Sequence, residues 1–227
     1  MRKQLRCFLL VLPPLRFGME NIMKHLLCFG DSNTHGYIPG GGRYDDNTRW
    51  PRLLARNLGE DFLVYEEGLN GRTSSMEDPF KPYKNAMDYI IPCLMTHEPL
   101  DLTILMLGSN DMKQYFSPSI EKITDSLRSL TKIILDVSGA PVLLVSPIYL
   151  GDKMAQSPFA DSFPPSSVSL SHQLGAALSI VAEQLGAYFL DASAIAEPSP
   201  EDSLHLAAEG HRRLADAITK KVQQILF

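Results

Sequence analysis

Ser32 stands in Gly30-Asp31-Ser32-Asn33-Thr34-His35-Gly36, directly after the apolar run His25-Leu26-Leu27-Cys28-Phe29. A hydroxyl is a poor nucleophile until a neighbouring base takes its proton, and His205 can do that. Asp202, three residues before it in Asp202-Ser203-Leu204-His205, can fix the imidazole tautomer and stabilise its positive form. Attack of a serine on an ester puts negative charge on an oxygen, which needs converging donors. The backbone N–H groups of Ser32 and Gly71, with the side-chain amide of Asn110, can provide them. Gly71 lies in Glu67-Gly68-Leu69-Asn70-Gly71-Arg72-Thr73, where a glycine lets the backbone approach a ligand closely. Asn110 lies in Gly108-Ser109-Asn110-Asp111. Nucleophile, base, orienting carboxylate and oxyanion donors are the parts of an acyl-transfer site.

Each part also has a plainer reading. The Gly-Asp-Ser string is a common turn, Asn110 can cap a following helix, Asp202 can cap the last helix, and His205 can be a surface residue. Position along the chain decides between the two readings. His25–Phe29, Phe62–Glu66, Asp101–Leu107, Pro141–Val145 and Tyr188–Asp191 read as short strands. Helical patterns separate them. Arg49-Trp50-Pro51 precedes one that stops at Gly59; Ser119 to Val137 carries Ile120, Ile123, Leu127, Leu130, Ile133 and Ile134 at spacings of three and four. Val168–Leu185 and Leu206–Ile225 read as two more. Alternating strands and helices predict an α/β domain with a parallel sheet and helices on both faces. Ligands of such folds sit outside the carboxyl ends of the strands. Ser32, Gly71 and Asn110 all follow strands, and Asp202 and His205 precede the last helix.

Composition narrows the function classes. The chain has 227 residues, enough for one sizeable core. Its 44% hydrophobic and 21% charged content is ordinary for a globular protein, and the net charge of −5 argues against nucleic acid or an anionic membrane as partner. Cys7, Cys28 and Cys93 cannot all pair and form no CxxC, which suits a reducing compartment; a cytoplasmic location is expected, with Cys28 a core thiol. Residues 1–22 begin with a basic stretch and the apolar run Cys7 to Leu12, stopped by Pro13-Pro14. That run is too short for a membrane span and no small-residue cleavage site follows. A dispensable extension is expected there, with a degenerate export signal as the alternative, and the working domain over residues 23–227.

The four strings, taken in order, resemble the sequence blocks of the SGNH (GDSL) hydrolases. LLCFGDSNTHG, EEGLNGRTS, LDLTILMLGSNDMK and DSLHLAAEGHRRLADAI are most similar to the bacterial arylesterase and acyltransferase branch. The resemblance implies a three-layer α/β/α sandwich with a central parallel sheet of about five strands. It implies Ser32 as nucleophile, Asp202 and His205 as the rest of the triad, and Ser32, Gly71 and Asn110 as oxyanion hole. It also implies no metal and no organic cofactor. The partner would be a small-molecule ester, with self-association left open. Close members of that branch often carry an aromatic residue where this chain has His35, which leaves the shape of the acyl pocket open.

Other chemistries find less support. No G-x-S-x-G, HExxH or paired CxxC is present. Asp31-x-Asn33-x-His35-Gly36 starts like a calcium loop, but Gly42 occupies the twelfth position. Gly40-Gly41-Gly42-Arg43 lacks the G-K-[ST] of a phosphate loop and reads as a flexible cleft rim. Arg72 and His97 have no evident partner, Trp50 reads as a core or cleft-wall aromatic, and His172 and His211 as helix-surface residues. Three alternatives stay open: a carbohydrate acetylesterase, an acyltransferase, and a non-catalytic α/β binding protein.

Overall fold

Five apolar segments pair into one parallel sheet in the computed structural model, which describes residues 23–227. The strands β1 (Lys24–Gly30), β2 (Phe62–Gly68), β3 (Leu102–Met106), β4 (Val142–Ser146) and β5 (Tyr188–Asp191) lie in the order β2-β1-β3-β4-β5. Leu26 pairs with Val64 on one side and Leu102 on the other, which fixes the register of the three strands nearest Ser32. The expectations for residues 1–22 lie outside the described residues.

Alternation along these strands builds the layers. Leu27, Phe29, Leu105 and Leu144 point to one face, and Leu26, Cys28, Ile104 and Leu143 to the other. A short α1 (Ser32–His35) follows β1 directly. The second face is covered by α2 (Trp50–Leu58) and by the C-terminal helix, Ala208–Leu226. The first is covered by α3 (Ala86–His97), α4 (Ile120–Ser138) and α5 (Pro165–Leu185). With α6 the C-terminal helix, this is the expected three-layer α/β/α sandwich. Central strands buried on both faces explain why β3 and β4 read as near-continuous apolar runs.

Helix α4 illustrates how sequence sets an element. Ser119 accepts a hydrogen bond from Lys122 N at 3.3 Å as N-cap, Ile123, Leu127, Leu130 and Ile134 face the sheet, and Gly139 ends the helix at φ 65°. Strand ends shift by one or two residues, and two helix starts differ from expectation by two or three. Helix α5 starts three residues early because Pro165 fits its first turn, and α6 starts late because Leu206 is held in a bridge to Pro198. Helix α3 has no counterpart in the sequence pattern; Pro92 lies inside it.

Candidate active site

The order β2-β1-β3 reverses the direction of winding at β1, and the crevice that results lies at the carboxyl ends of these strands. Ser32 is the first residue of α1 there. Asp31 caps the helix by accepting from Asn33 N at 3.0 Å, and Gly36 closes it in a left-handed conformation. Gly68 makes this geometry possible: a Cβ there would lie 2.2 Å from the backbone N of His35. The Ser32 side chain is therefore set by a strand end, a cap and a close helix-to-strand contact.

The loop before α6 brings His205 to it. Asp202 Oδ1 accepts from Leu204 N at 3.0 Å and His205 N at 2.9 Å, folding the four residues into a tight turn with Ser203 at φ 58°. Asp202 Oδ2 lies 2.7 Å from His205 Nδ1, and His205 Nε2 lies 2.9 Å from Ser32 Oγ. An ionised carboxylate can only accept, so Nδ1 carries the ring hydrogen and Nε2 is left to accept the serine proton. Burial works to raise the Asp202 carboxyl, but the hydrogen bonds from His205 outweigh it and hold it below its ordinary value. All three residues are buried, with Ser32 7% exposed.

Asn33, next to the serine, locks the two segments together. Its Nδ2 donates to Leu204 O at 3.3 Å and its Oδ1 accepts from Leu206 N at 2.9 Å, so one amide grips the residues on both sides of His205. The rings of Tyr37 and Phe159 flank the imidazole at 4.4 and 5.4 Å. Sequence reasoning assigned Asn33 no role; its partners are more than 170 residues away, and only its place beside Ser32 hinted at one.

The three groups expected to meet an oxyanion, at Ser32, Gly71 and Asn110, line the same cleft. Gly71 sits at φ 80° in the turn closed by Arg72 N donating to Leu69 O at 3.0 Å. Asn110 opens a short 3₁₀ turn, Asn110–Met112, and is not the cap of α4, a role that Ser119 takes. Neither the amides of Ser32 and Gly71 nor the Asn110 side chain donates to a protein acceptor among the described residues. Asp111 fixes the neighbourhood by accepting from Ser74 N at 2.9 Å. Arg72, without an evident partner in sequence, spreads over the Phe29 ring at 4.1 Å and donates to the carbonyls of Gly30 and Glu67.

The cleft has a volume of about 650 Å³. Tyr37, Phe80, Tyr115, Phe159 and Phe163 supply an aromatic wall, and Lys81, Lys113, Gln114, Asp161 and Ser162 a polar one. Lys113 is buried and pairs with Asp78 at 3.2 Å, while Tyr115 OH donates to the same Asp78 oxygen at 2.8 Å. Burial pushes the Asp31 carboxyl up to about 6, partly offset by its hydrogen bond from Asn33 N.

Other expectations are met or corrected. His35 does not line the cleft; it lies against Gly68, and Tyr37 is the aromatic facing His205. Gly40–Arg43 forms a hairpin-like turn at the tip of the Tyr37–Arg43 bridge rather than cleft lining. Trp50 and Cys28 are core residues, and His172 is exposed on α5 as expected. His211 is not on the surface. It is fully buried and its Nδ1 accepts from Trp50 N at 3.3 Å, because it shares the inner face of α6 with Leu214, Ala215, Ile218 and Val222. His97 does have a partner, Glu67 Oε1 at 3.0 Å. Asp202 does not cap α6, whose N-cap is Ala207.

Comparison with known proteins agrees with this geometry. The model of the GDSL-like lipase/acylhydrolase family matches residues 28–213. An aryl esterase from M. smegmatis, solved with an inhibitor bound, is 34% identical with a TM-score of 0.85, covering 89% of this chain and 100% of its own. A carbohydrate acetylesterase from Sinorhizobium meliloti is 32% identical with a TM-score of 0.84, covering 89% and 99%. No curated protein sequence matches the chain at a significant level. The chain belongs to the GDSL-like lipase/acylhydrolase family and is a hydrolase acting on esters.

Proposed function

We propose that this chain hydrolyses short-chain carboxylic esters of aryl alcohols through an acyl-enzyme on Ser32. The observation that carries the reading is the unbroken chain Asp202–His205–Ser32, at 2.7 and 2.9 Å, opening into an aromatic-walled cleft. As Ser32 Oγ bonds to the carbonyl carbon, its proton passes to His205 Nε2. The carbonyl oxygen takes the negative charge and meets the Ser32 and Gly71 amides and the Asn110 side chain. Collapse breaks the bond to the alcohol, which leaves with the proton from His205. Water then repeats the sequence, freeing the acid and Ser32. Asp202 keeps the imidazole oriented throughout.

The likeness to the M. smegmatis aryl esterase supports the aryl alcohol, and the five aromatic side chains support it independently. A second reading, removal of acetyl groups from carbohydrate, draws on the polar wall of Lys81, Gln114, Asp161 and Ser162 and on the likeness to the S. meliloti enzyme. The two separate in one assay: kcat/KM for phenyl acetate against an acetylated sugar, followed by p-nitrophenyl esters of increasing chain length. A higher value for the sugar would replace the first reading with the second. A fluorophosphonate should label the protein once, at Ser32, and not label Ser32→Ala; labelling at Ser109 would overturn the assignment. The same reading assigns the work to residues 23–227, so a chain starting at Met23 should be soluble and as active as the full chain.

A further inference from the structure

Behind the loop that carries Asn70 and Gly71, three unlike donors converge. Glu67 lies at the end of β2, and Cys93 and His97 are one turn apart on α3, on the same helix face. The Cys93 sulfur, a His97 ring nitrogen and a Glu67 carboxylate oxygen all lie within 4.8 Å of one another. Nothing in the ester chemistry uses them. The His97 ring is stacked on Tyr65 at 4.3 Å, and the Tyr89 hydroxyl donates to Glu67 Oε2 at 3.2 Å, so the imidazole and carboxylate are held in place from outside the cluster. Such partners orient ligands in metal sites.

Thiolate, imidazole and carboxylate together are the donor set of a borderline-soft divalent cation. Bonds of roughly 2.0–2.3 Å to such an ion set tetrahedral ligand atoms about 3.5 Å apart. Closing the present cluster asks for side-chain movement on the order of one ångström, within the reach of a half-buried glutamate and histidine. A second observation points the same way. A cavity of about 760 Å³ opens beside Glu67, with Glu77 and Asp88 also on its wall and Arg72 the one cation among the described residues that line it. An excess of carboxylates concentrates cations beside Glu67.

We propose that Glu67, Cys93 and His97 form a binding site for a zinc-type divalent cation, with water as its fourth ligand. Cation and two anionic ligands sum to zero charge, so the nearby Arg72 guanidinium, already committed to the carbonyls of Gly30 and Glu67, is not opposed. The ion ties β2 to α3 at the root of the Gly71 loop. It takes no part in bond breaking.

Cadmium is the probe, because its bond to a thiolate gives a near-ultraviolet charge-transfer band. Full-length protein stripped with a chelator and titrated with cadmium should take up one equivalent per chain with that band. Cys93→Ser should lose the band while its circular dichroism and melting stay those of the parent. His97→Ala should weaken cadmium affinity by about a hundredfold or more, beyond what loss of an outer partner usually produces. Should Cys93→Ser not fold, His97→Ala decides alone, and unchanged affinity there overturns the site. No band in the parent protein, or a band that survives in Cys93→Ser through Cys7 or Cys28, overturns it as well. Neither readout depends on ester hydrolysis.

Discussion

Two histidines six residues apart, His205 before α6 and His211 in its first turns, are both buried yet built for opposite ends. His205 has a carboxylate on one nitrogen, a serine hydroxyl on the other, and an open cleft beside it. His211 has the Trp50 amide on Nδ1, no partner on Nε2 among the described residues, and the edge of Tyr44 at 5.2 Å. Burial, with a smaller contribution from His205, pushes His211 down to about 3, so it stays neutral and inert. Burying an imidazole keeps it uncharged; it takes a carboxylate to let it accept a proton during a reaction. The difference lies in three residues of loop, Asp202 to Leu204, and in which element each ring faces.

The sharpest way to break the comparison is to strip His205 of its carboxylate. Asp202→Asn keeps the shape but no longer fixes the tautomer, and should lower kcat by about 10⁴-fold with folding retained. A loss under tenfold would mean that Asp202 serves only the turn it closes. Asn110→Ala leaves both histidines untouched and removes one oxyanion donor, at a cost of about 10²–10³ in kcat with KM nearly unchanged. An equal change in KM would make Asn110 a substrate-binding group instead. Asn33→Ala acts on position alone: it frees Leu204 O and Leu206 N in a buried place, costing about 1–3 kcal/mol of stability. Thermal melting and kcat should fall together, since the loop that holds His205 loosens; a lowered Tm with full activity would show the clamp to be purely structural.

How far this contrast can be read from sequence depends on range. Ser32, Gly71 and Asn110 were legible because each follows an apolar run of strand length, and a parallel sheet must gather such loops at one end. Asp202 and His205 were legible because their partnership spans three residues. His211 carried a signal that was missed: 211, 214, 215, 218 and 222 make one helical stripe, which places a histidine on the inner face of α6. Helix α3 was obscured by Pro92, tolerated where the surrounding turns are packed against α4 and the sheet. Little of the aromatic wall was legible. Phe80 and Phe159 come from irregular segments and Tyr115 from a short 3₁₀ helix, Gln114–Phe116, and only the folded chain puts them around one cleft. The Glu67–Cys93–His97 cluster is of the same kind, joining a strand end to a helix face.

The smallest expected effect tests the inert histidine. In the unfolded chain His211 takes up a proton near pH 6.5, whereas in the folded protein burial delays this to about 3. Between those values the unfolded state binds more protons, so stability falls as the medium is acidified from 6.5 toward 3. The variant His211→Gln can still accept from Trp50 N but cannot titrate. Relative to it, the parent protein should lose about 1.4 kcal/mol of stability for each pH unit below 6.5, so that the difference between the two at pH 5.5 departs from its value at pH 7.5 by roughly that amount. Above pH 7 the difference should become constant, because the imidazole is neutral in both states. Urea unfolding at pH 7.5, 6.5 and 5.5 measures it, and kcat at pH 7.5 should stay the same since His211 faces α2 and not the cleft. A stability difference that does not change with pH would mean that the buried ring finds a way to charge, and the contrast with His205 would then rest on geometry alone.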